Sequence, residues 1–126
     1  MVAMRMAEAI ERFTLQLRAN GRSGHTVAQY RRHLELLARW AAAEGQDGDL
    51  RQLDHGALAA FLASPVALTR AGGGAKKAST VNALRSSLKG FFGYLHRAGY
   101  LREDPSRLVR RAQCDAPLPR GLAEGE

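Results

Sequence analysis

The sequence predicts an all-α fold, a compact bundle of four helices plus a short fifth, on three observations. Apolar residues recur at steps of three and four in four separate segments, the period that gathers them on one side of a helix. Three of those segments open on Ser or Asp, and all four close at Gly or Pro, the residue types that start and stop helices. No stretch alternates apolar with polar residues as a half-buried strand does, and no period of about 20–50 residues repeats. A chain of 126 residues, 45% of them hydrophobic, supports one core and one domain. That domain is expected over residues 1–112, with 113–126, which holds two prolines and two glycines, as a linker.

The first helix is expected from about Ala3 to Ala19, because Met6, Ile10, Phe13 and Leu17 share a side and Asn20-Gly21 ends it. In the second, about Gly24 to Glu44, Val27, Tyr30, Leu34, Leu37 and Ala41 form the stripe, with Ser23 as N-cap and Gly45 as stop. Arg32, Glu35 and Arg39 fall opposite that stripe, with Arg31 at its edge. A shorter third helix follows Asp54, buries Leu58, Phe61 and Leu62, and stops near Ser64-Pro65, with Leu50 and Leu53 beneath its start. The stretch from Val66 to Ala78, with Gly72 to Gly74 and two lysines, reads as a mobile basic loop. The fourth helix is expected to start after Ser79 and run to about Ala98, burying Val81, Leu84, Leu88, Phe91, Phe92 and Leu95. Its opposite face carries Asn82, Ser86 and Lys89. Asp104-Pro105, a cap followed by proline at the first helical position, predicts the short fifth helix through about Ala112.

Charge placement narrows the function. Nineteen Lys and Arg against 12 Asp and Glu give a net charge of +7, which favours a polyanionic partner. No acidic residue lies between Glu11 and Glu35 or between Asp54 and Glu103, so the cations fall in two acid-free stretches. The second and fourth helices each open on a Ser and a Thr, Ser23 with Thr26 and Ser79 with Thr80, where helix N-termini favour phosphate. Arg31 and Arg32 lie a turn into one helix, and Lys76 and Lys77 precede the other. Enzymatic chemistry finds no footing. The single Cys114 excludes an intrachain disulfide or a multi-cysteine metal site, and His25, His33, His55 and His96 share no ligand spacing. The histidines read as surface or capping residues. Gly72 to Gly74 lacks the Lys-Ser/Thr ending of a phosphate-binding loop. Tyr30 and Trp40 read as core rings rather than stacking platforms for bases. No apolar run approaches the roughly 18 residues of a membrane span. Two readings remain: a DNA-binding module, or a helical protein-interaction module whose basic surface meets an acidic partner.

The segment from Ser23 through Thr26, Tyr30 and Leu34 to Trp40 resembles the Thr-x-x-x-Tyr-x-x-x-Leu pattern of the core-binding domain of tyrosine recombinases and phage-type integrases. Ala78 through Leu95 resembles the second half of that pattern, Gly99 to Pro105 its Gly-x-x-x-x-Asn-Pro, and Leu118-Pro119-Arg120-Gly121-Leu122 its link to a catalytic domain. The sequence departs from the family at His33, where an acid is common, at Ala83, where a basic residue is, and in a longer Val66 to Ala78 loop. The resemblance implies a SAM-like helical domain that clamps one side of a recombination-site duplex, with the second and fourth helices toward the DNA. By position it assigns DNA contacts to Thr26, Arg31, Arg32, Ser79, Thr80, Asn82, Ser86 and Lys89, with Lys76 and Lys77 reaching the backbone from the loop. It implies double-stranded DNA and further recombinase protomers, in a tetramer, as partners. No cofactor, metal, membrane or small-molecule substrate is expected, the lone cysteine fits a reducing cytoplasm, and a bacterial or phage origin is expected. Strand cleavage in the family uses an Arg, Lys, His-x-x-Arg and Tyr set from a catalytic domain expected to be absent here, and neither Tyr94 nor Tyr100 reads as that nucleophile.

Overall fold

The computed structural model describes residues 4–111. They form α1 (Met6–Ala19), α2 (Gly24–Ala43), a 3-10 turn (Leu50–Gln52), α3 (His55–Leu62), α4 (Pro65–Leu68) and α5 (Ala78–Arg97). The fold is all-α, and no strand occurs among the described residues beyond two single bridges, Arg5 to Asp49 and Thr69 to Ala75.

α1, α2 and α3 begin where the backbone finds a partner for one of their first N–H groups. The Met6 N–H donates to the Gly48 carbonyl at 2.8 Å and the Leu50 N–H to the Met4 carbonyl at 3.0 Å, so the chain entering α1 is strapped to the turn before α3. Ala3, the expected start, lies outside the described residues. The Ser23 hydroxyl accepts from the Thr26 N–H at 3.1 Å and caps α2. Asp54 does the same for α3, accepting from the Ala57 N–H at 2.9 Å.

The apolar stripes meet as the periodicity predicts. Met6, Ile10, Phe13 and Leu17 of α1 pack with Val27, Leu34, Leu37 and Ala41 of α2 and with Leu84, Leu88, Phe91, Phe92 and Leu95 of α5, all buried in one cluster. Leu50, Leu53, Leu58 and Phe61 close its end. Each such side chain contributes about 1.5–3 kcal/mol relative to exposure. Phe13 is the hub of the rings, 5.2 Å from Tyr30, 5.5 Å from Phe91 and 5.5 Å from Tyr94 between centroids. Trp40 lies 5.6 Å from Phe61. Trp40 is therefore a core ring, and Tyr30 is half-buried, packed against the core on one side.

The α2–α5 contact matters most for the site. A Cβ at Gly90 would sit 3.4 Å from the Tyr30 ring, so the absence of a side chain lets the two helices close up there. His33 of α2 and Ser87 of α5 make a second contact, with Nδ1 and Oγ 2.6 Å apart. Because 30 pairs with 90 and 33 with 87, the helices run antiparallel.

Three expectations are corrected. The segment Val66 to Ala78 is not an open loop: α4 occupies its start, the Lys76 N–H returns to the Leu68 carbonyl at 2.8 Å, and the Arg70 N–H donates to Gly74 at 2.9 Å. Three glycines at positive φ, Gly72 to Gly74, make that reversal possible. Secondly, Ser79 is not the cap of its helix. α5 starts at Ala78, two residues early, and the Lys77 carbonyl already accepts from Thr80 and Val81, just after the bond from the Lys76 N–H to Leu68 fixes the chain. Finally, the short helix expected after Pro105 is a turn. The Ser106 carbonyl accepts from the Val109 N–H at 2.9 Å and from the Lys89 ammonium at 3.2 Å, which diverts it from an i to i+4 ladder. A segment this short does not offset the cost of helix nucleation by itself.

Candidate nucleic-acid interface

Antiparallel α2 and α5 leave a polar groove of about 280 Å³ between them, lined by Arg22, Thr26, Gln29 and Tyr30 on one side and Ala83, Ser86 and Ser87 on the other. Hydroxyl and amide groups sit on its walls while the phenyl and leucine side chains of both helices point into the core. Ser86 also lines a second cavity, about 670 Å³, with Lys89, Arg107, Val109, Arg110 and Arg111. The two share Ser86 as a wall, so the same side of α5 carries a groove with hydroxyl and amide groups and, next to it, a cavity edged by cations; together they are called the strip below.

At the other end of the strip, His33 feels the positive charges of Arg32 and Lys76. Lys77, Ser79 and Thr80 are exposed at the start of α5. Among the described residues, ion pairs join Arg12 to Glu8, Arg31 to Glu11 and Glu35, Arg51 to Asp49, and Arg107 to Glu103. Arg22, Arg32, Lys76, Lys77, Arg110 and Arg111 are in none of them. A cation without a carboxylate partner keeps its full charge for an incoming anion.

Two residues assigned to DNA contact are placed elsewhere. Arg31 turns toward α1, donating to Glu11 at 2.8 and 3.2 Å and to the Thr14 hydroxyl at 3.1 Å. The pair holds the Glu11 carboxyl below its ordinary range, so Arg31 is already neutralised. The wheel placed Arg31 at the stripe's edge, and the edge it occupies is the one facing α1. Asn82 is 1% exposed and accepts from the Arg85 guanidinium at 2.9 Å, so it braces α5 from within rather than lying on its outer face. A third, Lys89, lines the cavity beyond Ser86 but spends its ammonium on the carbonyls of Ser106 and Val109, at 3.2 and 2.9 Å. Thr26, Arg32, Lys76, Lys77, Ser79, Thr80 and Ser86 fall on or beside the strip. Sequence reasoning missed Gln29, one turn from Thr26, and Arg22, which lies in an acid-free stretch. It also missed Arg107, Arg110 and Arg111, three arginines within five residues that were assigned to a helix instead.

His33 is not a surface or capping histidine. Burial, then Arg32 and Lys76, push its pKa below the ordinary 6.5. The fold therefore favours neutral imidazole, and the unfolded chain takes up the proton first as pH falls. The resulting stability is fully present above about 6.5 and lost below it, until the folded pKa is reached. Melting temperatures between pH 7.5 and 5.5 are expected to fall in the parent and to fall less in His33→Gln. Parallel curves would show that His33 does not set the pH dependence of stability.

Among the described residues no helix is long and apolar enough to cross a membrane, and no group of three His, Cys, Asp or Glu is placed to hold a metal.

What the fold and this strip define is a small all-helical domain with one cation-edged side built from two antiparallel helices. Residues 10–99 match the family described as phage integrase, N-terminal SAM-like domain, and the chain belongs to that family. It is similar to tyrosine recombinase XerD of Xanthomonas campestris, at 36% identity over 94% of this chain and 35% of the relative. It is also similar to XerD of Proteus mirabilis, at 34% identity over 82% and 31%, and to tyrosine recombinase XerC of Erythrobacter litoralis, at 34% over 94% and 34%. The chain thus spans about a third of the length of these relatives. No solved structure matches it.

Proposed function

We propose that this domain binds duplex DNA with the α2–α5 strip and serves a tyrosine recombinase by gripping one side of its recombination site. The observation that carries the reading is the groove lined by Thr26, Gln29 and Ser86 and edged by cations that are in no ion pair among the described residues. Arg22, Arg32, Lys76 and Lys77 contact backbone phosphates, which position the domain and supply most of the affinity. Thr26, Gln29, Ser79 and Ser86 offer short hydrogen-bonding groups to base edges, which supply preference. The family's cleavage chemistry has no counterpart among the described residues: Tyr94 packs on Phe13 and near Tyr100, whose hydroxyl accepts from Arg12 at 3.1 Å. The contribution of this domain is binding, and further protomers on paired sites are its partners in the assembled recombinase.

Fluorescence anisotropy with a random 30-base-pair duplex, across a salt series and beside an acidic polypeptide, tests the reading. Log affinity for the duplex is expected to fall linearly with log salt, with little response to the polypeptide. Preference for the polypeptide would overturn it in favour of a protein-interaction module.

A further inference from the structure

The cavity beyond Ser86 contains a second set of cations that neither helix face accounts for. Lys89 reaches out of α5 to the carbonyls of Ser106 and Val109, and this folds the chain after Pro105 back along the helix. The turn is fixed from its other side as well: the Asp104 carboxylate accepts from the Ser106 N–H at 2.8 Å and from the Ser106 hydroxyl at 2.6 Å, and Ser106 is fully buried. The result places Arg107, Arg110 and Arg111 around one cavity of about 670 Å³ with Ser86 on its wall. Arg107 is partly offset by Glu103 at 3.4 Å, whereas Arg110 and Arg111 are in no ion pair among the described residues.

We propose that Arg110 and Arg111 form a phosphate-binding cradle for the same duplex, next to the α2–α5 groove, and that Lys89 positions it without touching DNA. The proposal rests on the DNA-binding reading above and extends its footprint past α5. Its chemistry is that of guanidinium forks, which suit a phosphodiester oxygen pair better than an ammonium does. The Lys89 ammonium, with two of its three protons committed to carbonyls, acts instead as the clip that shapes the cradle. Free phosphate has the same chemistry, so the test includes it.

The experiment is the salt dependence of duplex affinity in the full chain, compared with Arg110→Ala/Arg111→Ala, Lys89→Met, Lys89→Arg and the triple variant, each checked for native helix content. Each phosphate contact carries a slope of about 0.9, so the double variant is expected to lose about 1.8. Lys89→Met is expected to lose part of that, Lys89→Arg to recover it, and Lys89→Met to add nothing in the double background. A full further loss of about 0.9 in the triple variant would make Lys89 a direct contact and overturn its positioning role. A parent slope kept by the double variant, while loss of Arg22, Arg32, Lys76 and Lys77 still reduces it, would overturn the cradle and leave the groove reading intact. Absence of duplex binding in the parent would overturn both. Arginine side-chain NMR shifts on adding inorganic phosphate, without a slope change in the double variant, would assign the cavity to the free anion and overturn its role on DNA.

Discussion

Replacing Arg22, Arg32, Lys76 and Lys77 together with alanine is expected to cost duplex affinity on the order of a thousandfold or more at about 0.1 M salt, equally for all duplex sequences. Four lost phosphate contacts at about 0.9 each reduce the salt slope by about 3.6, which sets that scale. The four cations are in no ion pair among the described residues, and the Lys76 ammonium gives up only a long bond, 3.4 Å, to the Val66 carbonyl. Unpartnered surface substitutions change stability by about 0.5 kcal/mol or less each. Binding and folding should therefore separate cleanly in this variant. Arg31→Ala is the internal control: its guanidinium is held by Glu11 and Thr14, so its loss weakens the α1–α2 contact and leaves the slope unchanged. Anisotropy across a salt series reads both. An unchanged slope in the quadruple variant, or a reduced one in Arg31→Ala, would mean that the phosphate-facing side has been misplaced.

Phe91→Ala is expected to destabilise the domain by about 3–5 kcal/mol, a large part of the about 5–15 kcal/mol that holds a domain together. The ring is fully buried, edge-on to Phe13 at 5.5 Å and to Phe92 at 4.9 Å, and it lies where α1, α2 and α5 converge. Truncation removes the transfer free energy of the ring and leaves a cavity that three packed helices cannot collapse into. Leu15, 65% exposed on α1, loses little on truncation to alanine. Urea melts should show a lower midpoint for Phe91→Ala at an unchanged m-value, and near-parental behaviour for Leu15→Ala. Equal midpoints in the two variants would contradict the packing described.

The fold was legible because its determinants are local. The stripes of α1, α2 and α5 and the caps at Ser23 and Asp54 depend on residues three or four apart, and they stand where the periodicity placed them. What the sequence did not show depends on contacts across long separations. The turn at Asp104 is kept from becoming a helix by Lys89, 17 residues from Ser106 and 20 from Val109. Arg31 is claimed by Glu11, 20 residues away, and His33 by Ser87, 54 away. A helical wheel ranks residues by angle but does not say which neighbour covers each angle. That is why Asn82 is expected on the outer face of its helix and Arg31, at the stripe's edge, among the DNA contacts, although the first is buried and the second is held by Glu11 and Thr14. Arg110 and Arg111 carried a signal of charge density that the helix assignment hid.

The most direct test of the central claim is the mapping of backbone amide shifts in the chain on titration with a duplex. The largest changes are expected on Arg22 to Arg32, on Lys76 to Ser86 and on Arg107 to Arg111, with the outward faces of α1 and α3 unmoved. Changes concentrated on α1 and α3, with the α2–α5 groove silent, would contradict it.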